Sequence, residues 1–429
     1  MFGAGSLSVA LVGVLLFPST VIAEPPLSGG RVLRGIRSPA LSAVVVSVRP
    51  IVEQLPPVRS EDSGKLRVVV QPVSTGPAVT GGSGLARFGV RTFVAQDDST
   101  LLAAITDDGR IEHLRLFDSD EGHDRFHPAI GNKNRKPDLE AIVLVRVSAA
   151  FVRRIGGDPG RAKMVPVLIL FGSGSVRGPR DRIAVVVPRE PLSSSFVRVV
   201  TATSLYDRLR ATTQLTGPAG QLNVEAVAAV DGTAAVRIYN RGNSGPDSVT
   251  ASVDLSTYDL LEYLAAARAD ATAKFSARLR NPCRYDLGMS DNYAISVGEA
   301  IALPSRPELE GAGAILLAGI AEATTNAMDD GKTSGTALGL QLPGSHRLLF
   351  TPVMQDGKPA SLKIEGLAVQ SVSTVGRGRT RRLVMRVLGV VDSDDADPLV
   401  PSSLVELEVT VGNTRTPSGS EGPVGKSRS

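Results

Sequence analysis

The chain contains no tryptophan, one cysteine, four histidines and only 4% aromatic residues. Each scarcity excludes something. A lone Cys283 rules out an internal disulfide and any cysteine-based metal cluster, and beside Pro282 it reads as a small buried hydrophobe. His113, His123, His127 and His346 are scattered. Only His123 and His127, in the charged stretch 118–135, have metal-like spacing, and they lack a helix or cysteine partners. The sequence has neither a zincin motif nor a Gly-x-Ser-x-Gly nucleophile elbow. Gly172-Ser173-Gly174-Ser175 is not a phosphate loop, because no Lys-Ser/Thr follows it. With so few rings available, Val, Leu and Ile must fill the core.

Charge of one sign is also lacking. The net charge is +4 with a pI of about 9.3, but the bases are dispersed among acids, which describes a solvated surface and not a nucleic-acid footprint. The clusters 177–182 and 377–382 read as exposed turns. The one apolar run that stands apart is Ser8-Val9-Ala10-Leu11-Val12-Gly13-Val14-Leu15-Leu16-Phe17, followed by Val21-Ile22-Ala23 and Glu24-Pro25-Pro26. It is short for a bilayer span, and small residues before Glu24 suit a signal peptidase, although no Lys or Arg precedes the run. Residues 1–23 are therefore read as a signal peptide of an exported chain with no further membrane segment, 24–64 as an N-terminal extension, and 412–429 as a disordered polar tail.

What the chain has in abundance is Gly (44), Pro (28), Val and Thr, the composition of short strands joined by turns. One pattern recurs: an acidic residue interrupts an apolar strand and is followed by Ala or Gly. It reads Asp138-Leu139-Glu140-Ala141-Ile142, Asn223-Val224-Glu225-Ala226-Val227, Val297-Gly298-Glu299-Ala300-Ile301 and Lys363-Ile364-Glu365-Gly366-Leu367. Gly82-Ser83-Gly84-Leu85-Ala86 is a degenerate copy with Ser83 in place of Glu. Self-similarity of this kind marks a repeat architecture.

Each copy opens a set of strands. Expected strands are 92–95, 101–105 and 111–117 after Ser83; 165–171, 183–187 and 196–200 after Glu140; 234–239, 248–253 and 279–287 after Glu225. After Glu299 come 314–320, 337–340 and 348–353, and after Glu365 come 383–391 and 404–411, one strand short. The run 65–70, Lys-Leu-Arg-Val-Val-Val, can supply the missing strand, while the run 41–48 is an extra strand of open placement. The fold class is thus all-β, a five-bladed β-propeller over 65–411 whose last blade is closed by an N-terminal strand; insertions leave six blades open. Short helices are expected in 257–273, capped by Ser256, and at Ser204.

Inner strands of a propeller line its channel, so Ser83, Glu140, Glu225, Glu299 and Glu365 would face one axis. Clustered carboxylates need protons, bases or a cation, and an all-oxygen donor set suits calcium. The opposing reading is that each Glu locks neighbouring blades together through backbone amides. A second series lies where the second strands end: Asp97, Ser173, Arg241, Asn243, Glu322, Asn326, Asp392 and Asp394. Loops converging there would hold a polar, sugar-like or phosphorylated ligand or a protein partner, with Arg241 as the anion contact.

The phrases Lys136-Pro137-Asp138-Leu139-Glu140-Ala141, Phe171-Gly172-Ser173-Gly174-Ser175, Leu222-Asn223-Val224-Glu225-Ala226, Arg241-Gly242-Asn243 and Leu362-Lys363-Ile364-Glu365-Gly366-Leu367-Ala368 resemble those of exported bacterial propellers without an assigned activity. These are similar in turn to the SdiA-regulated and phytase-associated esterase-like propellers. A more distant similarity is to calcium-activated apyrases, which implies channel-lining Glu residues that bind calcium, although Ser83 departs from that pattern. Two functions follow as expectations. One is an exported, monomeric, calcium-stabilised binding propeller. The other is a calcium-dependent hydrolase of phosphate esters, anhydrides or glycosides.

Overall fold

The computed structural model describes residues 31–51, 79–218, 220–230, 234–242, 249–267, 273–324, 331–344, 347–392 and 400–412. It is an all-β propeller. Runs of Val, Leu, Ile and Ala bounded by Gly, Asp and Pro turns make strands, and these fall into five antiparallel groups. The first group runs Gly82–Phe88, Arg91–Gln96, Leu101–Thr106 and Ile111–Arg115; the second runs Leu139–Ser148, Met164–Gly172, Arg182–Val187 and Phe196–Thr201. The third is Val224–Val230, Ala235–Asn240, Ala251–Ser256 and Arg280–Asp286. The fourth is Tyr293–Ala302, Ile315–Glu322, Thr333–Gln341 and Arg347–Gln355, and the fifth begins Ile364–Val375, Arg382–Val391 and Ser403–Val411.

The first strand of each group is innermost, and each touches the inner strands of the groups before and after it, so that group five meets group one and the cycle closes. Hydrophobic burial follows the same cycle. One apolar cluster lies between each neighbouring pair of groups, from Phe93 with Leu168 between the first two to Leu85 with Val390 between the last and the first. A single group would leave both of its faces wet, and the ring covers all of them.

The chain's N-terminal part enters this ring in a way its sequence left open. The strand Leu41–Pro50 pairs antiparallel along Ser403–Val411, taking the fourth place of the last group. The expected closing strand 65–70 lies outside the described residues, so the closing strand is an N-terminal one but an earlier one. Arg31–Arg37 runs parallel between the outer strands of groups three and four. Leu41–Pro50 also touches the outer strand of group four. These two segments, read as an extension, join groups three, four and five into one 15-stranded sheet, while groups one and two remain separate four-stranded sheets.

Helices form at both expected places, but only one uses the expected cap. Thr257–Ala266 is capped by Ser256, whose hydroxyl accepts the Asp259 N–H. Thr203–Arg210 forms without a side-chain cap; Ser204 accepts the Phe275 N–H instead. Tyr206 on that helix is fully buried, and its hydroxyl donates to the Gly172 carbonyl at 2.6 Å, holding the helix against the end of the second strand of group two. Cys283 is free and buried, as its surroundings in sequence suggest.

Candidate functional site

Every inner strand carries a register break at the same place. The ladder to the second strand skips Ser83, Glu140, Glu225, Gly298 and Glu365 in the five groups. A β-bulge frees one residue from pairing and re-aims its side chain. In four groups the freed residue is the one singled out in the sequence. In the fourth it is Gly298, where a Cβ would come within 2.5 Å of the Ile320 side chain, so Glu299 is displaced by one position from the other three Glu residues. The carboxylates are therefore not at one equivalent place in successive groups.

Glu299 occupies the position held by Gly84, Ala141, Ala226 and Gly366 elsewhere, a place where the inner strands crowd together. A Cβ at Gly366 would already meet the Leu85 amide nitrogen at 2.7 Å. The Glu299 carboxylate accepts the Ala300 N–H at 2.6 Å, and the amides of Leu367 and Leu85 also favour its anion. Burial outweighs them and, with the charge of Glu225, holds its carboxyl well above the usual range.

At the channel mouth the ionic groups divide into two halves. In groups one and two, Lys136 pairs with Asp97 and, at 2.6 Å, with Asp138, and Arg180 reaches Asp138 at 2.8 Å. Ser173 donates to Asp138, whose φ of 56° places it in the left-handed region. Carboxylate oxygens of Asp97, Asp138 and Glu140 lie within 4.8 Å of one another. Burial raises the Asp138 carboxyl, but Lys136 and Arg180 together pull it below the ordinary value. Glu140 goes the other way. It is 9% exposed, no hydrogen bond or ion pair reaches it from the described residues, and burial with Asp138, Glu225 and Asp97 pushes it well up. Asp98 accepts the Thr80 hydroxyl and is pushed up to about 7 by burial and by Asp97.

In groups three to five, Arg241 stands between three acids: Glu322, Glu225 at 3.5 Å and Glu365 at 3.6 Å. Lys363 pairs with Glu365 at 3.2 Å, Asp392 at 3.6 Å and Glu322 at 3.8 Å. Asn223 donates to Glu225 at 2.6 Å. Burial raises Glu225 and Glu365 against the pull of these bases, Glu365 the more strongly.

The residues supplying the mouth lie within a recognisable span of chain. A family model described as a family of unknown function (DUF6929) matches residues 78–409. The chain belongs to that family. No curated protein matches its sequence. Among solved structures, the alpha-L-arabinofuranosidase PaAbf62A from Podospora anserina is similar at 11% identity, over 86% of this chain and 96% of that chain, with a TM-score of 0.35. Sqt1 from Chaetomium thermophilum, bound to the N-terminus of the ribosomal protein L10, is similar at 12% identity over 81% of this chain and 61% of that chain, with a TM-score of 0.28. Neither likeness bears on ligand or activity at such scores.

Of the residues singled out in sequence, the family span brings Asp97, Glu140, Ser173, Glu225, Arg241, Glu322, Glu365 and Asp392 into these two halves; Asn243, Asn326 and Asp394 lie outside the described residues. Ser83 donates its hydroxyl to the Leu139 carbonyl of the next group at 2.5 Å, a bond between groups. The expected calcium ligands do not form one ring. Glu225 and Glu365 face bases and Glu299 faces amides, whereas Glu140 clusters with Asp97 and Asp138. Sequence reasoning passed over Lys136, Asp138, Arg180 and Lys363. Lys136, Asp138 and Glu140, like Lys363 and Glu365, stand two residues apart where the chain enters an inner strand, Leu139–Ser148 or Ile364–Val375, and that recurring base-acid spacing is the signal that was available. Arg180, read as an exposed turn residue, is buried because it pairs with Asp138. His127 accepts the Ala129 N–H and begins a single 3-10 turn, Pro128–Ile130. No helix among the described residues is long and apolar enough to cross a membrane.

Proposed function

We propose that this chain is an exported, calcium-stabilised, five-bladed propeller that binds a polar ligand or a partner protein at the acidic mouth of its channel. The observation that supports it is the local imbalance of charge. Asp97, Asp98, Asp138, Glu140, Glu225, Glu322, Glu365 and Asp392 gather around Lys136, Arg180, Arg241, Lys363 and Arg125, with Glu299 beside Glu225, in a chain whose formal net charge is +4. Such an excess of buried carboxylate is relieved by protons or by a cation. A ligand attracted here presents positive charge, as a bound metal ion or as amines of a partner. The apolar run 8–17 with Val21-Ile22-Ala23 supports export.

Calcium titration of chelator-treated full-length protein in a calorimeter, with thermal melting in parallel, tests the reading. Binding heat and a higher melting temperature are expected, since a ligand at about a hundred times its Kd adds roughly 2.7 kcal/mol to a fold that alone binds it. Absence of both sinks the reading.

A further inference from the structure

We propose that Asp97, Asp138 and Glu140 form a divalent-cation site that Lys136 fills when no metal is bound, so that an internal ammonium and calcium compete for one carboxylate cluster. The inference deepens the reading above and rests on it. The donor atoms are already gathered, within 4.8 Å of one another, at the junction of groups one and two. The cluster contains only carboxylates, the donor set of a hard cation.

Glu140 supplies the second observation. It is nine-tenths buried, its carboxylate points into the cluster, and among the described residues no hydrogen bond or ion pair reaches it, Lys136 acting on it only through its charge. Lys136 touches Asp97 and Asp138 but makes no ion pair with Glu140. Charge balance shows what is lacking. With all three carboxylates ionised, Lys136 and Arg180 leave one negative charge in excess. Three carboxylates with Arg180 and a divalent ion in place of Lys136 are neutral. A dication therefore satisfies the buried cluster where the lysine falls one charge short. Displacement of Lys136 is the step that opens the site, and it sets the affinity below what the carboxylates alone would give.

The competition is tested with calcium alone, on the full chain. Lys136→Met, which removes the internal competitor, is expected to tighten calcium binding in calorimetry by about tenfold or more, and Glu140→Gln to weaken it by a similar factor. Should Lys136→Met fail to fold, as judged by circular dichroism, the wild-type chain gives the same information. Amine-reactive labelling read by mass spectrometry should modify Lys136 faster with calcium than with chelator, while Lys363, also buried, keeps its rate. If neither protein gives binding heat, the cation reading of the mouth falls, and this inference with it. If calcium binds but Lys136→Met does not tighten it, or labelling of Lys136 does not rise, the competition alone is overturned.

Discussion

Groups three to five and groups one to two solve the same closure problem differently. In the former, the strands Arg31–Arg37 and Leu41–Pro50 run along the outer edges and make one continuous sheet. In the latter each sheet stands alone, joined to its neighbours by side-chain packing and a few bonds. The mouth divides along the same line. Arg241 and Lys363 each bridge acids from more than one group, so their ion pairs tie groups three, four and five together. Lys136 instead shares with Asp138 the segment that leads into the inner strand Leu139–Ser148 and reaches only one further group through Asp97. On the proposed reading, charge is structural where it spans three groups and exchangeable where it is local. The family match, 78–409, excludes the two joining strands, so the continuous sheet rests on a segment outside the family span.

The comparison is broken most directly at Arg241. Replacing it with Leu would leave Glu225 with Asn223 as its hydrogen-bond partner and crowd Glu322 and Glu365 onto Lys363, and losing one partner of a buried ionic network costs about 3–5 kcal/mol. Urea denaturation followed by circular dichroism measures it. A cost under about 1 kcal/mol would show that the network in groups three to five is as dispensable as a surface pair.

A smaller effect tests the seam between the two regions. Ser402 is fully buried; its hydroxyl accepts the Gly82 N–H at 2.9 Å, and its backbone bonds to Ile51 and Val79 at 2.8 Å. Ser402→Ala leaves the Gly82 amide buried without an acceptor, at about 1–3 kcal/mol. Hydrogen exchange should quicken along Gly82–Phe88 while groups three and four keep their protection. Uniform quickening would mean that the ring opens as one unit and that the two regions are not separable.

How far the chain disclosed this in advance differs between strands and side chains. The strands were legible because alternation and turn residues are local properties: 165–171, 183–187 and 383–391 each fall within the observed Met164–Gly172, Arg182–Val187 and Arg382–Val391. The closing strand was not, since Leu41–Pro50 finds Ser403–Val411 more than 350 residues away and local pattern favoured 65–70. The Glu residues were visible as a pattern, but their partners came from other groups. Arg241 belongs to Glu322 only through the ring, and a one-residue shift of the bulge to Gly298 gives Glu299 a different fate from Glu365 although the motifs look alike.

That different fate makes the last prediction. Glu299, 1% exposed, has only backbone amides as hydrogen-bond partners among the described residues, and its folded carboxyl holds its proton well above the ordinary 4.5. The fold therefore binds more protons here than the unfolded chain does once pH exceeds about 4.5, and stability falls as pH rises, by at most about 1.4 kcal/mol per unit until the folded group ionises. Glu299→Gln mimics the protonated state at every pH. Its urea midpoint should match the wild type below pH 4.5 and move progressively above it as pH rises through the window in which only the folded Glu299 keeps its proton. Glu365 and Glu140, raised in the same direction, remain in both proteins, so the difference between the two curves isolates Glu299. Parallel curves would mean that Glu299 titrates alike folded and unfolded. Its amide contacts would then offset its burial in full, and the axial carboxyl would behave like one of the base-paired acids of the ionic half.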